Sequence, residues 1–441
     1  MGWLDSVEHS RWLSMQIRGL LKNGHAAQAK TGFGYFTDER KLDTERPIDL
    51  AITARMTFVY SLGTLLGIPG SRRYCDHGIR CMQRYFYDNQ YGGWFTSIKH
   101  EPDSSGQGIP WDEEGAHKWQ YAHAFMILAA AAAAVANRPG AVELLRYALE
   151  DQEAHWFVPE TGLVNAIFTR DWKEVDDYRG LASLMHTVEA YLAAAEAANN
   201  VELIERAEGM LQFINREGQL SDWRIPEHYD SQWRPVYEYG KSDPGRHYFP
   251  FGFLVGHGME LCRLAVQTKA AFISLGRKAP AYLQPMAESL FERARLDGWR
   301  RNGNPGFLLS TDFQGQPVIE DRYQWVVSEG IVATTMMRRT LLDDGAPLGA
   351  VEVYDHCYRS WLDYVNDYLL VEPGVLIRVL NADNEPTVGS MPHRPDIYHS
   401  MQAMLAGRLP VWPPMATALS HGLLDKPQRP APESRSWRRT H

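Results

Sequence analysis

The sequence predicts an all-α fold, an (α/α)6 barrel of six inner and six outer helices with short strands and loops at one rim. Three observations predict it. Apolar residues recur at three- and four-residue steps in twelve segments down nearly the whole chain, the period of a helix that buries one stripe. Strand patterns are thin and local, the best being Val375–Leu380. Every second helical segment embeds a polar residue, in turn Arg55, Tyr121, His186, His257, Glu329 and His399, at separations of 66, 65, 71, 72 and 70 residues. A helical hairpin repeated around a closed ring has this spacing, and it turns the marked residues toward one axis.

The expected helices are 7–26, 49–66, 74–88, 117–136, 141–155, 180–198, 202–216, 256–272, 282–297, 323–342, 351–369 and 396–407. The second carries Ile52, Met56, Val59 and Leu66 on one face and stops at Gly67 and Pro69, a helix with its terminator. Asp396 is placed to cap the last. The loops are rich in Gly, Trp, Pro and acids, as in Tyr91–Phe95, Trp111–Glu114 and Arg224–Tyr229, and such loops usually carry function on a rigid scaffold. Residues 1–423 read as one catalytic barrel domain. Residues 424–441, rich in Pro and Arg with little to bury, read as a disordered tail.

Composition narrows the partners. The 441 residues carry 45 basic and 54 acidic side chains, a net charge of −9, which argues against nucleic acid or an anionic membrane as partner. With 44% hydrophobic and 22% charged residues the chain has an ordinary globular composition. The longest apolar run, Ala124–Ala136, is mostly alanine and falls short of the roughly 20 residues that span a bilayer. The N-terminus lacks the basic and apolar regions of a signal peptide, so a cytoplasmic location is expected. Cys75, Cys81, Cys262 and Cys357 form no Cys-x-x-Cys pair and read as buried small hydrophobes.

The sharpest local signal is Gly256-His257-Gly-Met-Glu260, where a glycine-flanked histidine opens a helix and a glutamate follows one turn later. On a helix the two share a face, so Glu260 is expected to hold the imidazole's tautomer, as a general base near neutral pH requires. His-x-x-Glu recurs at His186–Glu189 inside an apolar helix. His399 and Gln402 share a face of the last helix. Arg55 sits among Val59, Leu62 and Leu66, and a buried guanidinium needs acceptors or a polar cavity. Metal coordination competes for the histidines, but there is no His-x-x-x-His and no Cys ligand pair. Fourteen tryptophans, among them Trp94, Trp111, Trp119, Trp223, Trp233 and Trp325, suit carbohydrate, although most are core candidates.

These motifs resemble the N-acylglucosamine 2-epimerase family, which includes cellobiose 2-epimerases and bacterial aldose–ketose isomerases. The resemblance runs from the Arg55 helix to the His399 helix. It rests on Gly256-His257-Gly-Met-Glu260 and Met185-His186-Thr-Val-Glu189-Ala190, supported by Tyr121-Ala-His-Ala-Phe125, Ala54-Arg55 and Trp325-Val-Val-Ser-Glu329. Asp396-Ile-Tyr-His-Ser-Met-Gln402-Ala403 is similar to the isomerase branch, since the epimerase branches usually carry arginine where Gln402 stands. The resemblance implies an (α/α)6 barrel, chemistry without metal or nucleotide, and His257 and His399 as the catalytic pair. It implies that Arg55, Tyr121, His186 and Glu260 line the substrate, with Trp325, Glu329, Gln402 and Glu227 as further substrate-site residues. Departures are Ala182, where many relatives carry asparagine, Val255-Gly256 in place of proline-glycine, and Leu261 in place of tryptophan.

The reaction expected is interconversion of an aldose and a ketose, D-mannose and D-fructose first, through a cis-enediol. His399 would move the proton between carbons 2 and 1, and His257, oriented by Glu260, would open the ring and polarise the carbonyl. His186 and Arg55 would bind hydroxyls and the developing oxyanion. A 2-epimerase uses the same two histidines on opposite faces of carbon 2. A glycoside hydrolase needs two carboxylates about 5–10 Å apart, with Glu227, Glu329 and Asp112 as candidates, and a non-catalytic sugar-binding barrel needs neither. The partner expected is a monosaccharide, with the protein working as monomer or homodimer.

Overall fold

A computed structural model describes residues 3–37, 39–389, 394–395 and 397–426. Asp396, the expected cap, and most of the expected tail lie outside the described residues. The helices are α1 (Val7–Gly24), α2 (Leu50–Leu65), α3 (Ser71–Cys81), α4 (Glu113–Ala116), α5 (Gln120–Val135), α6 (Ala141–Asp151), α7 (Leu181–Ala197), α8 (Glu202–Leu220), α9 (Val255–Ser274), α10 (Leu283–Gly298), α11 (Gln324–Asp343), α12 (Leu348–Tyr364), α13 (Tyr398–Ala406) and α14 (Met415–Ser420). The twelve expected helices are all present.

Two kinds of helix alternate. In α5 every residue from Gln120 to Ala133 is buried, and α2 is buried from Leu50 to Gly63. Helices apolar all round belong inside. By contrast α1 buries one stripe, Leu13, Ile17, Leu20 and Leu21, and α8 another through Leu203, Ala207, Met210, Leu211 and Ile214. The inner ring closes: α2 packs on α5, α5 on α7, α7 on α9, α9 on α11, α11 on α13 and α13 back on α2. Outside it, α3, α6, α8, α10 and α12 each pack on the inner helix that precedes them, and the N-terminal α1 packs on α13. The protein is an (α/α)6 barrel whose sixth hairpin is assembled from both ends of the chain. Gly19 and Gly374 permit one seam of that closure, because a Cβ on Gly19 would lie 2.0 Å from the Pro373 carbonyl oxygen.

Five short antiparallel ladders mark one end of the barrel. Ile48–Asp49 pairs with Ser97–Ile98, Lys118–Trp119 with Ile167–Phe168, Arg179–Gly180 with His228–Tyr229, Phe253–Leu254 with Ser310–Thr311, and Arg322–Tyr323 with Val379–Leu380. Each ties the residues just before an inner helix to the loop that follows the next outer helix. The N-termini of the inner helices are thereby gathered at this rim, where their exposed amide groups favour negative charge. The other end is covered by α14, which packs on α2 and α5. The expected strand 375–380 is two pieces: Val375–Leu376 turns back on Leu370–Glu372, and only Val379–Leu380 joins the rim. Among the described residues no helix is long and apolar enough to cross a membrane, and all four cysteines are buried and free.

Close packing of outer on inner helices is tight at Gly78, where a Cβ would meet Thr57 Oγ1 at 1.8 Å. Thr57 has little room to yield, since its hydroxyl donates to the Thr53 carbonyl at 2.7 Å. Gly78→Ala is expected to cost about 1–3 kcal/mol by overpacking. Gly209→Ala, on the exposed face of α8 with nothing within 4 Å, gains about 0.5–1 kcal/mol. Urea unfolding midpoints of the two variants move in opposite directions.

Candidate active site

The rim opens into a cavity of about 610 Å³ lined by Arg55, Tyr121, Ala182, His186, Tyr248, Pro250, Leu254, His257, Glu260, Trp325, Arg378, Arg394 and His399. Five of the six repeat markers therefore meet at one place, because each stands in the first two turns of an inner helix. The sixth, Glu329, stands directly behind His399.

Each candidate histidine is held by a carboxylate, though not by its helical neighbour in the case of His257. Its Nδ1 lies 2.9 Å from Glu227 Oε2, a residue of the loop before the ladder at His228–Tyr229. Glu227 also accepts from the Leu254 amide at 3.4 Å, so it braces the start of α9. Glu260, expected to orient His257, turns instead toward the axis and accepts from Arg263 Nη2 at 2.6 Å. Arg263 lies one turn further along the same face and is the stronger donor, so it captures Glu260. His399 Nδ1 lies 2.7 Å from Glu329 Oε1. A carboxylate accepts from Nδ1–H, so in the neutral form of either ring Nε2 carries the lone pair. The indole of Trp325 stands between them, with its ring 5.6 Å from each imidazole.

Arg263 is the hub beneath. It is 1% exposed, and its fork also reaches Glu189 Oε1 at 2.9 Å and Glu329 Oε2 at 2.9 Å. Burial pushes the Glu329 and Glu189 carboxyls upward, but Arg263, followed by the partner histidine, outweighs it and holds both below their ordinary range. Glu260 goes the other way: burial, then the neighbouring Glu329, raise it well above the usual carboxylate range. His186, 3.3 Å from Glu189 Oε2, is pushed down to about 3 by burial against the pull of Glu189. Arg55 donates to Tyr121 Oη at 2.8 Å and stacks over Phe125 at 4.2 Å. Two three-residue sets, His186 with Glu189 and Glu260, and Glu260 with Glu329 and His399, bring ligand-type atoms within 4.8 Å of one another. The Arg263 fork already lies on all three carboxylates of those sets, so a cation stands at the position a metal would neutralise.

Other expectations sort differently. Gln402 does not line this cavity. Counted from the rim it lies one turn deeper than His399, and it faces a second cavity of about 480 Å³ over Met415 and Thr417. Glu227 and Glu329 are buried behind the histidines, while Asp112 is exposed and caps α4 by accepting from the Gly115 amide at 2.7 Å. They do not form a carboxylate pair across the cavity. Of the tryptophans singled out only Trp325 lines the cavity, while Trp119 packs edge-on against Tyr248. Tyr248 and Arg394 carry no sequence signal, because they come from irregular loops without periodicity, and Arg378 sits between the two pieces of the expected strand 375–380. Arg263 had one: a lone guanidinium amid Leu261, Cys262 and Leu264 is as anomalous as Arg55.

Carboxylate-backed histidines line a cavity at the mouth of the helical barrel, and comparisons with known proteins place the chain among sugar isomerases and epimerases. The N-acylglucosamine 2-epimerase (GlcNAc 2-epimerase) family model matches residues 32–403. A D-mannose isomerase from Pseudomonas cannabina pv. alisalensis is 32% identical over 422 residues, 95% of this chain and 97% of its own. Another from Thermobifida fusca is 34% identical over 425 residues, 95% and 98% of the two chains. Among solved structures, a D-mannose isomerase superposes with a TM-score of 0.79 at 23% identity, over 91% of this chain and 98% of that one. Cellobiose 2-epimerase from Spirochaeta thermophila DSM 6192 follows at 0.73 and 18%, over 94% and 97%. The chain belongs to the N-acylglucosamine 2-epimerase family and is an isomerase.

Two expectations follow from this geometry. Glu227→Gln leaves His257 without its anionic acceptor and lowers kcat by about 100-fold or more, with the circular dichroism spectrum unchanged. Unfolded, His186 takes up a proton below about pH 6.5; folded, it stays neutral down to about 3. Between these values the unfolded state holds the extra proton, so stability falls as pH falls, by up to about 1.4 kcal/mol per pH unit. In His186→Gln that contribution is gone, and its melting temperature drops less than the parent's on going from about pH 6.5 to about pH 4.

Proposed function

We propose that the protein interconverts D-mannose and D-fructose through a cis-enediol, by histidine acid/base chemistry that needs neither metal nor nucleotide. The observation that carries this is the pair His257 and His399: each Nδ1 is held by a buried carboxylate at 2.9 and 2.7 Å, so that two Nε2 atoms serve one cavity beside Trp325. The names of the two curated relatives quoted above support the choice of sugar.

In this reading His399 Nε2 takes the proton from carbon 2 of the open-chain aldose and returns it to carbon 1. A hydroxyl proton passes from oxygen 2 to oxygen 1, so the reaction balances within the sugar. One base on one face serves both carbons because the enediol is cis. His257, held by Glu227, opens the ring and polarises the carbonyl oxygen. Arg55, Tyr121 and His186 bind hydroxyls, and the helix N-termini gathered at the rim favour the developing oxyanion. Trp325 offers its ring face to the sugar's C–H groups. Ala182 lines the cavity and leaves a methyl where many relatives place an amide, so one hydroxyl is bound through other groups.

Purified protein treated with EDTA and incubated with D-mannose in heavy water is expected to give D-fructose, followed by proton and carbon NMR. Partial rather than complete deuterium uptake marks a single shielded base. Glucose as sole product sinks the isomerase assignment in favour of a 2-epimerase, and loss of turnover that returns only with added metal sinks the metal-independent chemistry. His399→Asn and His257→Asn each lower kcat by about 10²- to 10⁴-fold, with His399→Asn abolishing exchange at carbon 2.

A further inference from the structure

Three carboxylates surround the buried Arg263 guanidinium on the barrel axis. Glu260 stands in the middle, as the member common to both close sets with Glu189 and with Glu329, whose polar atoms lie within 4.8 Å. Three carboxylates this close and this buried do not all remain ionised against two cations, Arg263 and Arg55. The hydrogen bonds say which carboxyl gives way. Glu189 has donors on both oxygens, Arg263 Nη2 at 2.9 Å on one and Tyr398 Oη at 2.6 Å with His186 Nδ1 at 3.3 Å on the other. Glu329 likewise receives Arg263 Nε at 2.9 Å and His399 Nδ1 at 2.7 Å. Glu260 receives Arg263 Nη2 at 2.6 Å on Oε1, while its buried Oε2 has no partner. Glu260 lines the cavity.

We propose that the three carboxylates around Arg263 share one proton, that it resides on Glu260 Oε2, and that Glu260 is therefore a neutral acid donating a hydrogen bond to a sugar oxygen. The donor half of this inference rests on the cavity being a sugar site. Arg263 touches no substrate and is a positioning residue, which keeps Glu329 and Glu189 anionic behind His399 and His186. The direction of the Glu260 shift, upward from burial and then from Glu329, agrees. The charged and titratable groups facing Glu260 are Arg263 and His257 on its own helix, His186 and Glu189 on α7, Glu329 on α11, Tyr398 and His399 on α13 and Arg55 on α2. Arg263 and Arg55 are the cations among them. A donor here is worth more than an acceptor, because the enediol's oxygens gain negative charge in the transition state.

Infrared spectroscopy reads the proton directly, since a protonated carboxyl has a carbonyl stretch separate from ionised carboxylates that moves on deuteration. At neutral pH the parent minus Glu260→Gln spectrum is expected to contain one such acid band. D-mannitol, an open-chain hexitol that cannot isomerise, is expected to lower that band's frequency in the parent. An unchanged set of acid bands in Glu260→Gln overturns the proposal, as does a band that stays still while mannitol competes with substrate. A band present with no binding of any hexitol sinks the sugar reading and leaves the proton on Glu260. In turnover, Glu260→Ala loses about 100- to 1000-fold in kcat, and Glu260→Gln, which restores a donor, recovers at least about tenfold of it; equal losses overturn the donor role. Arg263→Lys moves the acid limb of the kcat profile to higher pH with KM little changed, whereas an equal loss at every pH overturns the positioning role.

Discussion

The rest of the site depends on one buried cation. Arg263 lies within the barrel axis, and its fork reaches carboxylates from α7, α9 and α11 at once. Burying these charges singly is expensive, and together they are tolerable only because the guanidinium is always charged and its planar donors are prearranged. Through Glu329 that cation reaches His399, and through Glu189 it reaches His186 and Tyr398. The imidazoles of His399 and His186 are thus oriented from below, by a buried layer.

The barrel supplies the dryness this arrangement needs. A ring of helices buried all round leaves a lumen just wide enough for polar side chains, with α14 across one end and the ladders framing the other. In such a medium a hydrogen bond or dipole acts more strongly than in water. Each inner helix contributes its amide end and one or two side chains of its first turns, so the site is a convergence of equivalent positions. His257 is the exception in its support, because its carboxylate comes from the neighbouring repeat's loop rather than from the axis. The two histidines are therefore tied to separate anions, Glu227 and Glu329, and this independence suits an enzyme in which one ring shuttles a proton while the other handles an oxygen.

Much of this was legible in the residues. Arg55, His186 and His257 stand out because a polar side chain amid apolar helix neighbours must meet a cavity or a partner. Their spacing of about one helical hairpin places them on one axis. The expected pairing of His257 with Glu260 does not form, since the i, i+3 relation is shared by Glu260 and Arg263, and proximity along a helix does not rank competing donors. Gln402, which the resemblance puts at the substrate, stands one turn of helix deeper than His399 and faces the second cavity beside Arg263. Tyr248 and Arg394 carry no pattern, since loop residues obey no period.

What the amino-acid sequence determined by itself was the fold class, the polar residues that the inner helices must turn inward, and the family they mark. Helical periodicity and buried polarity are local properties, written within a few residues of each other. The tertiary structure alone decided that Glu227, 30 residues before His257, and Glu329, 70 before His399, are the partners of those two histidines. It also decided that three acids share one arginine. Those pairings depend on how separate helices close around an axis, and in a low-dielectric interior the distances across that axis, not the order along the chain, set the charge on each group.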